Sequence, residues 1–192
     1  MGNTAKYLEK LTALLTETLV TDINRRQKSI DEAADEFVKL ILGVKSNAKK
    51  IIAIGNGGSA AIASHLQTDF VNAIKVRAIV FTEPSLLTCL SNDFGYGNAF
   101  ERQAALWVEP NDLMIAISSS GKSENILKAV EQCRAEGGSV ITFTGFKPDN
   151  PLRMMGILNY YIAEEHYGYV EAAHSVLAHY LTDCVLNTME EK

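Results

Sequence analysis

Apolar residues recur at helical spacing from the N-terminus to Ile41, and no glycine interrupts them between Gly2 and Gly43. Leu11, Leu14, Leu15 and Leu19 form one stripe, and Ile30, Ala33, Phe37, Leu40 and Ile41 form a second. The spacing predicts two long amphipathic helices. Both precede any strand, so their apolar faces must pack on the rest of the domain or on another subunit. Beyond them the period changes. Short β-rich runs stand at Lys50 to Ile54, Ala78 to Thr82, Leu113 to Ile117, Ser139 to Phe143 and Leu158 to Ala163. Helical patterns alternate with them, for example Ser59 to Ala73 and Ser123 to Glu136. Such alternation predicts βαβ units, a parallel sheet and right-handed crossovers. The last segment, Tyr169 to Glu191, reads as one long helix with Val176, Leu177, Leu181 and Val185 as its main apolar residues. The expected architecture is a single α/β domain over 1–192, a three-layer sandwich around a five-stranded parallel sheet. Its N-terminal helical pair, 1–48, is expected to serve oligomer packing; 49–192 forms the core and closing helix.

Composition narrows the classes. A chain of 192 residues that is 47% hydrophobic and 21% charged suits one globular domain with a sizeable core. The net charge of −5 offers no global basic field for nucleic acid. Arg25, Arg26, Lys28, Lys49 and Lys50 could form a local patch, but read more simply as solvated helix ends. No apolar run reaches the length of a membrane span, and Met1 to Lys10 lacks the apolar stretch of a signal peptide, so the expected location is the cytoplasm. Cys89, Cys133 and Cys184 are widely spaced and odd in number, which argues for buried free thiols over disulfides.

Two loops carry candidate chemistry. Gly55-Asn56-Gly57-Gly58-Ser59 lies between the first predicted strand and a helix. Its glycines allow close backbone approach to an anion, and Ser59 stands where it would cap the helix or meet a phosphate. From glycine spacing alone an ordinary strand-to-helix turn stays open; the loop is neither a dinucleotide fingerprint nor a Walker loop. Ser118-Ser119-Ser120-Gly121-Lys122-Ser123 makes a second strand-to-helix loop, dense in hydroxyls and in unpaired N–H groups. Two such loops in one small sheet favour a phosphomonoester over a dinucleotide. Glu83 follows the second strand like a ribose-binding acid, but the third fingerprint glycine is missing.

These segments, with SNDFGYGNAFERQ at Ser91 to Gln103 and ISSSGKSENILKA at Ile117 to Ala129, resemble the sugar isomerase (SIS) family. Within it the chain is most similar to the phosphoheptose isomerases, and the likeness covers nearly the whole chain. The resemblance implies a flavodoxin-like five-stranded sheet, a homotetramer with active sites between subunits, and interconversion of sedoheptulose 7-phosphate with a heptose 7-phosphate. It implies that Ser59, Ser118, Ser119 and Ser123, with Gly57, Gly58 and Ser120 in the same loops, hold the phosphate. Asn56 would reach the sugar, and Asp93 would contact substrate near the catalytic centre.

An aldose–ketose isomerase needs a base to move a proton between C1 and C2, and an acid or metal to stabilise the oxyanion. His65 and Asp69 are i and i+4 on the helix after the first loop and so share a face. His65 matches a helix histidine that binds zinc in zinc-containing relatives, and Asp69 stands where those relatives carry a catalytic glutamate. The missing methylene draws the carboxylate back by about 1.5 Å. Glu171 and His179 have the eight-residue spacing of a family glutamine and histidine, making His179 the second catalytic residue. Together His65, Asp69, Glu171 and His179 would hold a divalent cation, with zinc favoured by two imidazoles and two carboxylates. His174 points about 140° from His179 on the same helix and reads as a packed histidine. Ile62, Ala73, Gly168 and Tyr169 replace polar residues usual in the family. The alternative they raise is a non-catalytic SIS protein that senses a sugar phosphate or binds a partner, as a relative binds the initiator DnaA. A DNA-binding SIS regulator fits less well, because no helix-turn-helix domain precedes the first strand.

Overall fold

The computed structural model describes residues 3–191; residues 1, 2 and 192, inside the expected domain limits, lie outside it. The five predicted strands form at β3 (Lys50–Gly55), β4 (Arg77–Val80), β5 (Leu113–Ser118), β6 (Ser139–Thr144) and β7 (Leu158–Tyr161). They run parallel in the order β7-β6-β5-β3-β4. Burial on both sides explains their unbroken apolar character. Along β5, Leu113, Ile115 and Ile117 face one core, while Met114 and Ala116 face the other.

Helices α2 (Ile30–Ser46), α3 (Gly58–Thr68) and α7 (Tyr167–Glu190) cover the first face, packing Phe37, Ile41, Leu66, Leu177 and Leu181 onto it. Helices α5 (Ala99–Trp107) and α6 (Glu124–Ala135) cover the second with Phe100, Ala104, Ile126 and Val130. Helices α1 (Thr4–Thr16) and α4 (Pro84–Phe94) bury no residue fully within one copy of the chain. Among the described residues no helix is long and apolar enough to cross a membrane.

The sheet is wider than expected. Leu19, read as the end of a helical stripe, begins strand β1 (Leu19–Asp22), which forms an antiparallel ribbon with β2 (Gln27–Lys28) and pairs with β7. The first helix therefore stops at Thr16, and the β-branched Thr18, Val20 and Thr21 follow an extended path suited to them. The helix expected from Ser59 to Ala73 also changes character: it is α-helical to Thr68 and π-helical over Asp69–Ile74. Of the cations read as solvated helix ends, Lys28 pairs with Glu36 at 2.9 Å and Lys50 with the buried Asp112 at 2.6 Å. Of the thiols, Cys133 is buried, Cys184 half-buried and Cys89 exposed, which corrects the expectation for Cys89.

Candidate active site

Strands β3 and β5 are neighbours, but their helices leave to opposite faces of the sheet, α3 toward one and α6 toward the other. This is the switch point where open α/β sheets bind ligands beyond the carboxyl ends of their strands. Both predicted loops stand there. Asn56, Ser59, Ser118, Ser119, Ser120 and Ser123 line one pocket of about 90 Å³ together with Tyr167 and Glu171. Gly57 and Gly58, both exposed, form the entry to α3.

Hydrogen bonds fix this end of the molecule. Asn56 and Asn125 exchange two amide bonds of 2.9 Å, and the Tyr96 hydroxyl donates to Asn56 Oδ1 at 2.6 Å. In the serine loop, Gly121 N–H donates to Ser118 Oγ at 3.2 Å and Lys122 N–H to Ser120 Oγ at 3.3 Å. Ser118 Oγ lies 3.4 Å from Ser123 Oγ. Gly121 has φ +62°, and a side chain there would collide with the buried Asn150 amide. Asn150 in turn donates to the carbonyls of Gly145 and Lys147. Ser119 is buried at 4% exposure, and its hydroxyl has no partner among the described residues. A buried polar atom without a partner is rare, and Ser119 is one of the residues that line the pocket.

His174 belongs to this scaffold. It is fully buried, its Nε2 lies 3.1 Å from the Thr144 carbonyl, and its ring meets Phe143 edge-on. Burial depresses its pKa to about 4, so the imidazole is neutral and Nε2–H is the donor. Thr144 pairs in register with Ser118, placing His174 beneath the serine loop. Glu83 is no ribose ligand: it caps α4, accepting from Ser85 and Leu86 N–H, and those two bonds hold its pKa below the usual carboxylate range.

A second cluster lies farther along α3 and α7. His65 Nε2 is 3.5 Å and His179 Nδ1 3.9 Å from Asp69 Oδ2, and the two imidazole centroids are 4.5 Å apart. Thr182 Oγ1 approaches the same carboxylate oxygen at 3.5 Å. The two imidazoles are about half exposed. Donor atoms of His65, Asp69 and His179 all lie within 4.8 Å of one another, and two imidazoles with a carboxylate suit zinc.

The fourth expected ligand is elsewhere. Glu171 lines the serine pocket, its carboxylate so close to Gly58 that a Cβ there would strike it. Eight residues put Glu171 and His179 on a common side of α7 but about 12 Å apart along its axis. Asp93 also lies apart from the pocket, exposed on α4 with Cys89 Sγ 3.6 Å away. Sequence reasoning missed Asn125, Asn150 and Tyr96, whose contribution is to hold other residues still. Tyr167 also lines the pocket, and Tyr169 stacks on Tyr7 of α1 at 4.3 Å.

Known proteins are similar to this chain in sequence and fold. The family described as SIS domain matches residues 6–145 of this chain. The phosphoheptose isomerase of Shewanella denitrificans is 35% identical over 147 residues, covering 72% of this chain and 73% of its own length. A phosphoheptose isomerase from Neisseria gonorrhoeae superposes with a TM-score of 0.80 at 25% identity, covering 95% of this chain and 96% of that one. One from Francisella tularensis has the same fold, with a TM-score of 0.80 at 23% identity over 96% of each chain.

Proposed function

This chain belongs to the SIS domain family, and we propose that it is a phosphosugar aldose–ketose isomerase, converting sedoheptulose 7-phosphate to D-glycero-D-manno-heptose 7-phosphate. One observation carries the choice of a long sugar. Helices α3 and α7 run in the same direction, with Ser59 and Glu171 at the pocket and His65, Asp69 and His179 clustered farther on. The six residues from Ser59 to His65 span about 9 Å of helix axis. An extended seven-carbon phosphate, at about 1.5 Å per bond, places C1 roughly 10 Å from phosphorus.

In this reading the hydroxyls of Ser59, Ser118, Ser119, Ser120 and Ser123 and the N–H groups of Gly57 and Gly58 hold the phosphate. Ser119 supplies a donor that has no other partner. Asn56, fixed by Asn125 and Tyr96, presents its amide to the sugar. Asp69 takes the C1 proton of the ketose and returns it to C2 through the enediol, and His179 moves the hydroxyl proton between O1 and O2. Asp69 Oδ2 meets both imidazoles, leaving Oδ1 for the proton transfer. His65, Asp69 and His179 would hold zinc, which supplies polarisation of the two substrate oxygens when bound.

The proposed assembly is a homotetramer with sites between subunits, built in part on the N-terminal pair. Support comes from α1, which buries nothing within one copy, and from its exposed Tyr7 and Leu8. Asp93 would meet substrate at such a boundary. A charged sugar phosphate is retained by membranes, so the proposed setting is the cytoplasm.

The test is turnover of sedoheptulose 7-phosphate against five- and six-carbon ketose phosphates, with and without added zinc. The seven-carbon substrate should be preferred, and His179→Ala should abolish the preference together with the rate. Absence of turnover of every one, with sugar phosphate still bound, would hand the chain to the non-catalytic sensing alternative.

A further inference from the structure

The phosphate pocket contains an anion of its own. Its eight lining residues include no lysine or arginine, and one of them is the carboxylate-bearing Glu171. Lys122, the basic residue of the serine loop, is exposed and does not line the cavity. Glu171 lies against Gly58, in the first turn of α3, where the positive end of the helix dipole and unpaired N–H groups favour negative charge. Ser119, buried and without a hydrogen-bond partner, lines the same cavity. A donor of that kind identifies a ligand site independently of the helix end. The space left beside the carboxylate is a cavity of about 90 Å³.

We infer that Glu171 is a resident anion of the phosphate pocket, its carboxylate packed against the first turn of α3 and lowering the pocket's affinity for an incoming phosphate. The inference deepens the phosphosugar reading of this site and rests on it. The carboxylate stays close to a bound dianion, since α7 fixes its backbone. Like charges brought together at a binding site cost affinity strongly. The residue thus weakens grip on every phosphomonoester equally and leaves discrimination to the sugar, whose contacts lie toward Asn56 and the histidine cluster. Tyr167, exposed and packed edge-on against Phe146 at 4.8 Å, lines the same pocket one helical turn before Glu171.

Calorimetric titration of the full chain with inorganic phosphate, without zinc, separates the possibilities. E171Q keeps the side-chain shape and removes the charge; it should bind phosphate about tenfold more tightly than the unaltered protein. E171A should shift affinity in the same direction, and S119A should weaken binding. Thermal melts without phosphate establish that each variant is folded. Equal or weaker phosphate binding by both folded Glu171 variants overturns the inference. If S119A still weakens binding in that case, the phosphate reading of the pocket survives alone. If no variant and not the unaltered protein binds phosphate, both readings fall. A parallel zinc titration guards the assignment: loss of zinc affinity in E171Q without any gain for phosphate returns Glu171 to the metal set and overturns the inference.

Discussion

The two ends of the α3–α7 groove are built on opposite plans. At the serine end the groups that frame the pocket are tied: Asn56 to Asn125 and Tyr96, Gly121 to Ser118, Asn150 to Gly145 and Lys147. Ser59, Ser118 and Ser119 are buried there. At the histidine end His65 and His179 lie 3.5 and 3.9 Å from Asp69, both imidazoles half in solvent, with the Thr182 hydroxyl nearby. Those separations exceed a good hydrogen bond. A phosphate has the same shape in every substrate and can be met by a finished mould. Proton transfer and metal binding need groups that remain accessible, and preorganised contacts there would compete with the substrate.

If this contrast is real, mutations at the two ends should fail differently. Asp69→Ala should lower turnover of sedoheptulose 7-phosphate by roughly 100-fold or more. Its melting temperature should stay close to that of the unaltered protein, because the carboxylate has no hydrogen bond of good length to lose. A melting point that falls along with activity would erase the distinction.

Acid should expose the serine end. His174 has a folded pKa of about 4 against an ordinary value near 6.5, so below pH 6.5 the unfolded chain binds a proton that the folded one does not. Stability from this group is full above pH 6.5 and is lost as pH falls toward 4, by on the order of 3 kcal/mol. Denaturant melts at pH 7 and pH 4.5 measure the slope, and His174→Gln should flatten it. A variant that keeps the whole slope would assign acid sensitivity to other groups.

Gly121→Ala should cost on the order of 2 kcal/mol, through a positive φ and a collision with Asn150. Inorganic phosphate binding should drop with it, since the serine loop turns on that residue. The smallest expected change is a gain. Asp69→Glu restores a methylene and advances the carboxylate by about 1.5 Å toward the imidazoles. Turnover should rise several-fold, as expected when a base moves into reach; no gain would mean the cluster is already spaced for its task.

The sequence revealed the two plans unequally. All five parallel strands were legible, because a strand buried on both faces writes itself as a continuous apolar run. The serine loops were legible for a related reason: small hydroxylated residues between a strand and a helix have few other uses. His65 and Asp69 followed from helical periodicity, and that periodicity misled for Glu171. Angular spacing says which side of a helix a residue occupies, and nothing about whether another element stands opposite at that height. The π-helical turn at Asp69–Ile74 was invisible, since it is a change in hydrogen-bond register with no side-chain signature here. Asn125 and Asn150 look like ordinary surface amides in the sequence, and only the fold turns them inward. The β1–β2 ribbon was lost because Leu19 extended a leucine stripe that local periodicity alone could not end.

That ribbon gives the chain a particular order of completion. Val20 pairs with Tyr160, so one of the first strands to leave the ribosome must wait for the last strand of the sheet. Pairings between such distant segments form slowly, since loop closure precedes any reward. Until β7 emerges, α1 and the ribbon have no sheet edge to join, while β3 to β6 can already assemble. The nascent protein therefore cannot seal its N-terminal segment before β7 emerges. A truncated product lacking β7 would leave the ribbon without its partner strand and, since α7 follows β7, one face of the sheet without its covering helix.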